Sequence, residues 1–191
     1  MFCDIGGVVL FHQDMEELFK ELYYTSTYFS NEKSWGGIEG FETARGIANR
    51  IAWEPFERGE IGPSEFQILF QRILGLTSKS ALAFWNLYTN IVRGLNMPLI
   101  ECLRAMRERG IVLALLSNLD EERLKIAREN LPQMYAGIER LFHYLFFSCQ
   151  IRSRKPEPEI YHYAFREVSV LPSNAFYLDD YEPNIDGMAA A

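Results

Sequence analysis

A chain of 191 residues with 48% hydrophobic and 14% aromatic content can bury a sizeable core, which excludes a disordered protein. Its formal charge of -7 and pI near 5.1 exclude a broad surface for nucleic acid or anionic membrane, so neither is an expected partner. A phosphate substrate is not excluded, because a bound cation and one lysine reverse the sign of the field locally.

The length suits one α/β core carrying a modest insertion. Met1-Phe2-Cys3 is a short apolar stub running into Asp4-Ile5-Gly6-Gly7, where two glycines permit a sharp turn before Val8-Val9-Leu10-Phe11. From Met15 to about Arg93 the pattern is helical. Leu18 and Leu22 recur at helical spacing, and Phe66, Leu69, Phe70, Ile73 and Leu74 form an amphipathic stripe opened by Pro63 and closed by Gly75. Residues 81–91 read as a further helix and residues 34–40 as a loop. No strand is expected in this stretch.

After Gly94 helices and strands alternate. Pro98 opens a helix ended by Gly110. Residues 111–116 read as a strand buried on both faces, too short to cross a bilayer, and end at Ser117-Asn118. Asp120-Glu121-Glu122 supplies an acidic first turn to the next helix. Residues 144–149 read as a second strand, followed by the basic loop Arg152-Ser153-Arg154-Lys155-Pro156. Pro158 begins a helix through Val168, and residues 175–178 form a third strand ending at Asp179-Asp180. Such alternation predicts a parallel, Rossmann-like sheet. Cys3, Cys102 and Cys149 lie far apart without metal-like spacing. Their odd number, with no signal segment, points to free thiols in a reducing, cytoplasmic compartment.

Each apolar strand stops at polar residues, and in a parallel sheet those carboxyl ends share one edge, where ligands bind. Asp4, Ser117-Asn118, Lys155 and Asp179-Asp180 would therefore converge. Taken singly each has a plainer reading, as a turn acid, a helix cap or a solvated cation. The convergence carries the argument.

These segments resemble the motifs of the haloacid dehalogenase-like hydrolases. Asp4-Ile5-Gly6-Gly7-Val8-Val9 is similar to the first, Leu116-Ser117-Asn118 to the second, and Arg154-Lys155-Pro156-Glu157 through Ile160-Tyr161 to the third. Phe176-Tyr177-Leu178-Asp179-Asp180, with Asn184, is similar to the fourth. The insertion resembles the helical cap of one branch, and its Phe56-Glu57-Arg58-Gly59-Glu60-Ile61 is typical of relatives that include sugar-phosphate phosphatases and the amino-terminal domain of soluble epoxide hydrolases. The resemblance implies a catalytic core over residues 1–14 and 94–191 and a cap over 15–93. It implies a magnesium-dependent phosphomonoesterase acting on a small phosphorylated metabolite, with Asp4 forming an aspartyl-phosphate. Magnesium would be held by Asp4, the Gly6 carbonyl and Asp180, with Asp179 acting directly or through water. Ser117 and the Asn118 backbone would bind phosphate oxygens, Lys155 would neutralise charge on nucleophile and phosphoryl group, and Asn184 would orient Lys155 or an acidic neighbour. Cap aromatics around Tyr23, Tyr24, Tyr28, Trp53 and Phe56 would shield the substrate, most of them as cap core.

One position departs from the pattern. Phosphatases of this type place a second aspartate, the general acid, two residues after the nucleophile, where this chain has Gly6. Loss of a general acid costs about 10²–10⁴-fold in rate. Three readings stay open: a substrate with a good leaving group, a substitute such as His12 or Asp14, or a weakly active phosphate-binding or regulatory protein. A 2-haloacid dehalogenase is the competing enzyme, disfavoured by Gly6 and the paired Asp179-Asp180. Both ends are short against the pattern, which reads as a clipped chain. Substrate identity and oligomeric state are not legible.

Overall fold

The computed structural model describes residues 1–12, 15–29, 38–90 and 92–191. Asp14 and residues 34–37 of the expected loop lie outside the described residues, and of His12 only the backbone is described. From the amino terminus the elements are β1 (Phe2–Cys3), β2 (Leu10–His12), α1 (Met15–Phe29) and α2 (Ile38–Ala48). A π-helical stretch (Asn49–Trp53) leads into α3 (Glu54–Glu57), followed by α4 (Pro63–Ile73), α5 (Ser78–Thr89) and β3 (Val92–Leu95). The chain continues through α6 (Met97–Glu108), β4 (Ala114–Ser117), α7 (Glu121–Asn130), α8 (Pro132–Leu141), β5 (Tyr144–Phe147) and α9 (Ser148–Ile151). It ends with α10 (Pro158–Val168), a 3₁₀ turn (Pro172–Asn174), β6 (Tyr177–Leu178) and α11 (Glu182–Ala190). Among the described residues no helix is long and apolar enough to cross a membrane.

Two compact units result. Met1–His12, Glu57–Gly59 and Arg93–Ala191 form one, and Gln13–Phe56 with Glu60–Val92 form the other.

The first unit is built on a four-stranded parallel sheet in the order β5-β4-β1-β6. Side chains alternate across it, as the strand period requires. Cys3, Leu113, Leu115 and Phe147 face one core with Ile100 and Leu103 of α6, Leu124 of α7 and Ile138 of α8. Phe2, Ala114, Leu116 and Phe146 face the other with Ile160, Tyr161, Ala164 and Phe165 of α10 and Met188 of α11. Helices thus cover both faces, the arrangement in which parallel strands become nearly all apolar. The chain leaves β1 toward β4 and β5, then returns to the opposite side of β1 for β6, so the topological switch lies at the carboxyl end of β1.

Several element boundaries differ from the sequence reading. Residues 111–113 precede β4 rather than belonging to it. Ile111 and Val112 are exposed and lie outside β4, with Val112 O accepting from the Met1 amino group at 2.7 Å. The strand expected over 144–149 ends at Phe147, and Ser148 starts α9 because its buried hydroxyl accepts from Leu119 N–H at 2.9 Å and donates to Glu57 O at 2.7 Å. β6 is two residues long, and Phe176 before it is 62% exposed. Residues 38–40 are helical, not loop, and the insertion reaches a strand after all, since Val92 begins β3, which pairs with β2.

The second unit is helical and its core explains the aromatic content. Phe19, Phe41, Trp53, Phe56, Phe66, Phe70, Phe84 and Tyr88 are buried together with Leu18 and Leu22. Phe56 stacks on Phe66 at 4.4 Å and Phe70 on Phe84 at 4.6 Å between ring centres. Of the aromatics singled out from the sequence, Trp53 and Phe56 are therefore core, whereas Tyr24 is exposed.

Candidate active site

Asp4 leaves the sheet where β1 ends. Its N–H donates to Leu178 O at 2.8 Å, and the register Cys3↔Leu178 sets Asp4 beside Asp179. The chain then turns back at once. Ile5 O accepts from Val9 N–H and Leu10 N–H, at 3.0 and 2.7 Å, and Gly7 takes φ +69 to close the turn. A β-carbon at Gly7 would lie 1.9 Å from Asp180 Oδ2. Gly7→Ala should therefore cost about 1–2 kcal/mol in left-handed backbone strain alone and displace the Asp180 carboxylate. Urea unfolding of the variant checks the first effect.

Lys155 reaches Asp4 from the other side of the sequence. Its side chain is 1% exposed and its Nζ donates to Asp4 Oδ1 at 2.7 Å and to Asp179 Oδ2 at 2.6 Å. The loop carrying it is held to the end of β4 by the Asn118 side chain, which accepts from Lys155 N–H at 2.8 Å and donates to Lys155 O at 2.9 Å. Ser117 is buried at the end of β4, two residues beyond Leu115, the register partner of Cys3. Asp180 is exposed, and one carboxylate oxygen from each of Asp4, Asp179 and Asp180 falls within 4.8 Å of the others.

Asp179 is saturated with donors. Its Oδ2 accepts from Lys155 and from the Tyr177 hydroxyl, and its Oδ1 from Tyr181 N–H and Asn184 Nδ2, each at 2.9 Å. Burial pushes its carboxyl up, but Lys155, Tyr177 and Asn184 outweigh that and hold it below the usual carboxylate range. Asp4 moves the other way. Its burial, with the Asp179 charge adding, outweighs the attraction of Lys155 and raises it. Burial is the larger cause at Asp4, which has hydrogen bonds from Lys155 and the Ile5 backbone, whereas at Asp179 the side-chain hydrogen bonds from Lys155, Tyr177 and Asn184 add to the Lys155 charge and prevail over burial.

A second layer of ion pairs fixes the Lys155 loop. Glu157 Oε2 accepts from Arg154 N–H at 2.9 Å and from the Ser153 hydroxyl at 3.0 Å, while Arg58 Nη1 donates to Oε1 at 2.6 Å. Arg154 Nε reaches Glu57 Oε2 at 2.8 Å. Asp120, fully buried, caps α7 by accepting from Arg123 N–H at 2.9 Å. Burial raises the Glu157 carboxyl, but the Arg154 N–H, Ser153 and Arg58 together lower it. A lowered folded value means that its stabilisation is present above the ordinary carboxylate range and lost as pH falls through the depressed value. Glu157→Gln should destabilise the protein by about 1 kcal/mol at neutral pH, discounted for solvent screening, with the deficit shrinking as the medium is acidified. Urea melts at two pH values read the difference.

The structure thus joins Asp4, Asn118, Lys155, Asp179 and Asn184 by hydrogen bonds, adds Asp180 by proximity, and places Ser117 through the sheet register. Sequence reasoning missed Tyr177 and the side-chain use of Asn118. Tyr177 carried one signal, a polar-tipped aromatic two residues before Asp179 and so on the same face of the strand.

A family model described as haloacid dehalogenase-like hydrolase matches residues 1–191, and the chain belongs to that family. It is 30% identical over 95 residues to bifunctional epoxide hydrolase 2 of Mus musculus, a match covering 49% of this chain and 17% of that protein. It is 24% identical over 139 residues to the sesquiterpene phosphatase astK of Aspergillus oryzae, covering 73% of this chain and 68% of the other. The HAD family enzyme BT-2542 of Bacteroides thetaiotaomicron, in its complex with magnesium and inorganic phosphate, superposes with a TM-score of 0.70 at 22% identity. That superposition covers 99% of this chain and 88% of BT-2542, and shows a shared fold.

Proposed function

We propose that the protein is a magnesium-dependent phosphomonoesterase of the cytoplasm acting on a small phosphorylated metabolite, with residues 1–14 and 94–191 as its catalytic core and 15–93 as its cap. The observation that carries this reading is the buried Lys155 ammonium shared between Asp4 and Asp179, with the Asp180 carboxylate alongside. The phosphatase among its relatives and the phosphate complex of BT-2542 support it.

The donor set fits magnesium, a hard cation that takes oxygen ligands. The Asp4 and Asp180 carboxylates and the Gly6 carbonyl would hold it, and Asp179, already saturated, would act through water. Bound there, it would shield the phosphoryl oxygens from the nucleophile's charge and stabilise the transferring group.

In the proposed reaction an Asp4 carboxylate oxygen attacks phosphorus and the bond to the leaving oxygen breaks, that oxygen keeping the electron pair and taking a proton from water. A water oxygen then attacks the aspartyl-phosphate, the bond to Asp4 breaks, and phosphate leaves. Lys155 has three N–H donors. Two hold Asp4 and Asp179, and the third would donate to a phosphoryl oxygen, beside hydrogen bonds from Ser117 and the Asn118 N–H.

Phosphate release from an aryl phosphate, assayed with magnesium and with a chelator, tests the reading. Release that requires magnesium is expected. Silence in both conditions, or metal-independent halide release from a 2-haloacid, would overturn it.

A further inference from the structure

The Lys155–Asp179 pair has a third member to which the motif resemblance assigns no role. Tyr177 lies on β6 two residues before Asp179, so both side chains share one face of the strand. Its hydroxyl donates to Asp179 Oδ2, the same oxygen that accepts from Lys155. Its ring meets the lysine as well, with Lys155 Nζ 5.6 Å from the ring centroid, where the π-face attracts a cation.

The ring is itself fixed. Tyr161, fully buried on α10, packs against it edge-on, with centroids 6.4 Å apart and planes at 74°. The Tyr161 hydroxyl donates to Asn184 O at 2.8 Å, and Asn184 Nδ2 returns to Asp179 Oδ1. Tyr177, Asp179, Asn184 and Tyr161 therefore close a ring of contacts around the carboxylate that anchors Lys155. A phenylalanine at 177 would fill the same space, but it would leave Asp179 Oδ2 to the ammonium alone. With the phenol present, that oxygen's charge is divided between two donors, and the lysine is left with more of its own for Asp4 and a phosphoryl oxygen.

We propose that Tyr177 is a positioning residue which sets how Lys155 is shared between Asp179 and the phosphoryl site. The inference rests on the phosphatase reading above.

The test is Tyr177→Phe in the full chain, which keeps the ring and removes only the hydroxyl. The kcat/KM for an aryl phosphate and the Kd for inorganic phosphate, by titration calorimetry with magnesium present, should each worsen by roughly tenfold, the loss typical of one hydrogen bond to a charged group. The half-saturating magnesium concentration should hold, and the melting temperature should fall by no more than the loss of one hydrogen bond entails. In a Lys155→Arg background the same substitution should change phosphate affinity by less than about twofold, because the ammonium it acts through is gone. A Tyr177→Phe protein indistinguishable from an active wild type, or one showing the same tenfold loss in the arginine background, would overturn this inference alone. A wild type that neither releases nor binds phosphate would overturn the phosphatase reading and this inference with it.

Discussion

Asp4→Asn is expected to lower magnesium-dependent phosphate release by on the order of 10⁴-fold while leaving the fold at least as stable as wild type. The substitution keeps shape and removes the nucleophilic carboxylate. Its effect on stability follows from the environment, because Asp4 is 8% exposed and its carboxyl is raised above the usual range, burial being the larger cause. A raised folded value means that ionised Asp4 costs stability: the cost is absent below the ordinary carboxylate range and complete once pH exceeds the folded value. The neutral amide removes it, and Lys155 still has Asp179 as a partner. Melting temperature against pH should therefore fall more steeply for wild type than for the variant across that window, alongside the lost turnover. A variant that unfolds easily and is inactive for that reason would contradict the account.

Lys155→Met should be damaging to both properties. It leaves the Asp4 and Asp179 carboxylates facing each other without the cation that now lies 2.7 and 2.6 Å from them. Breaking a buried pair in this way typically costs about 3–5 kcal/mol. Phosphate release should fall by about 10²–10³-fold, as when a donor to a developing charge is removed. The pH dependence has a sign. Asp179 sits below its ordinary range although burial pushes it up, chiefly because Lys155 pulls it down. Without the lysine it rises, so the variant's deficit is largest at neutral pH and shrinks as acid protonates the carboxylates. Urea unfolding at neutral and acid pH measures the change. A deficit that does not depend on pH would show that packing, rather than charge, is what Lys155 supplies.

Much of the core was readable because polar residues interrupt apolar runs. Asp4, Ser117 and Asp179 each end such a run, and the sheet order brings Asp4 and Asp179 side by side through the Cys3↔Leu178 register. What the sequence concealed was pairing. Ile111 and Val112 look like strand but lie before β4, with Val112 O accepting from the Met1 amino group at 2.7 Å, and Ser148 leaves β5 for a helix because its hydroxyl serves Leu119 and Glu57, residues remote in the chain. The break at Leu131-Pro132 separates α7, which buries Leu124, from α8, which buries Tyr135, Ile138 and Leu141. Glu57–Gly59 lies inside the helical insertion by sequence and joins the sheet-bearing unit in space, a placement set by Arg154, Arg58 and Ser148 together. The Asn118 side chain holds the Lys155 loop, which local sequence does not encode, and Tyr177 showed only its place on the same strand face as Asp179.

Covalent chemistry at position 4 can be read directly. The wild-type protein, incubated with magnesium and an acyl or aryl phosphate and quenched in acid, should carry one phosphoryl group on the peptide that contains residue 4, and borohydride reduction should convert that residue to homoserine. Turnover without any phosphorylated peptide, or with the label on another side chain, would mean that the carboxylate at the tip of β1 is not the group that attacks.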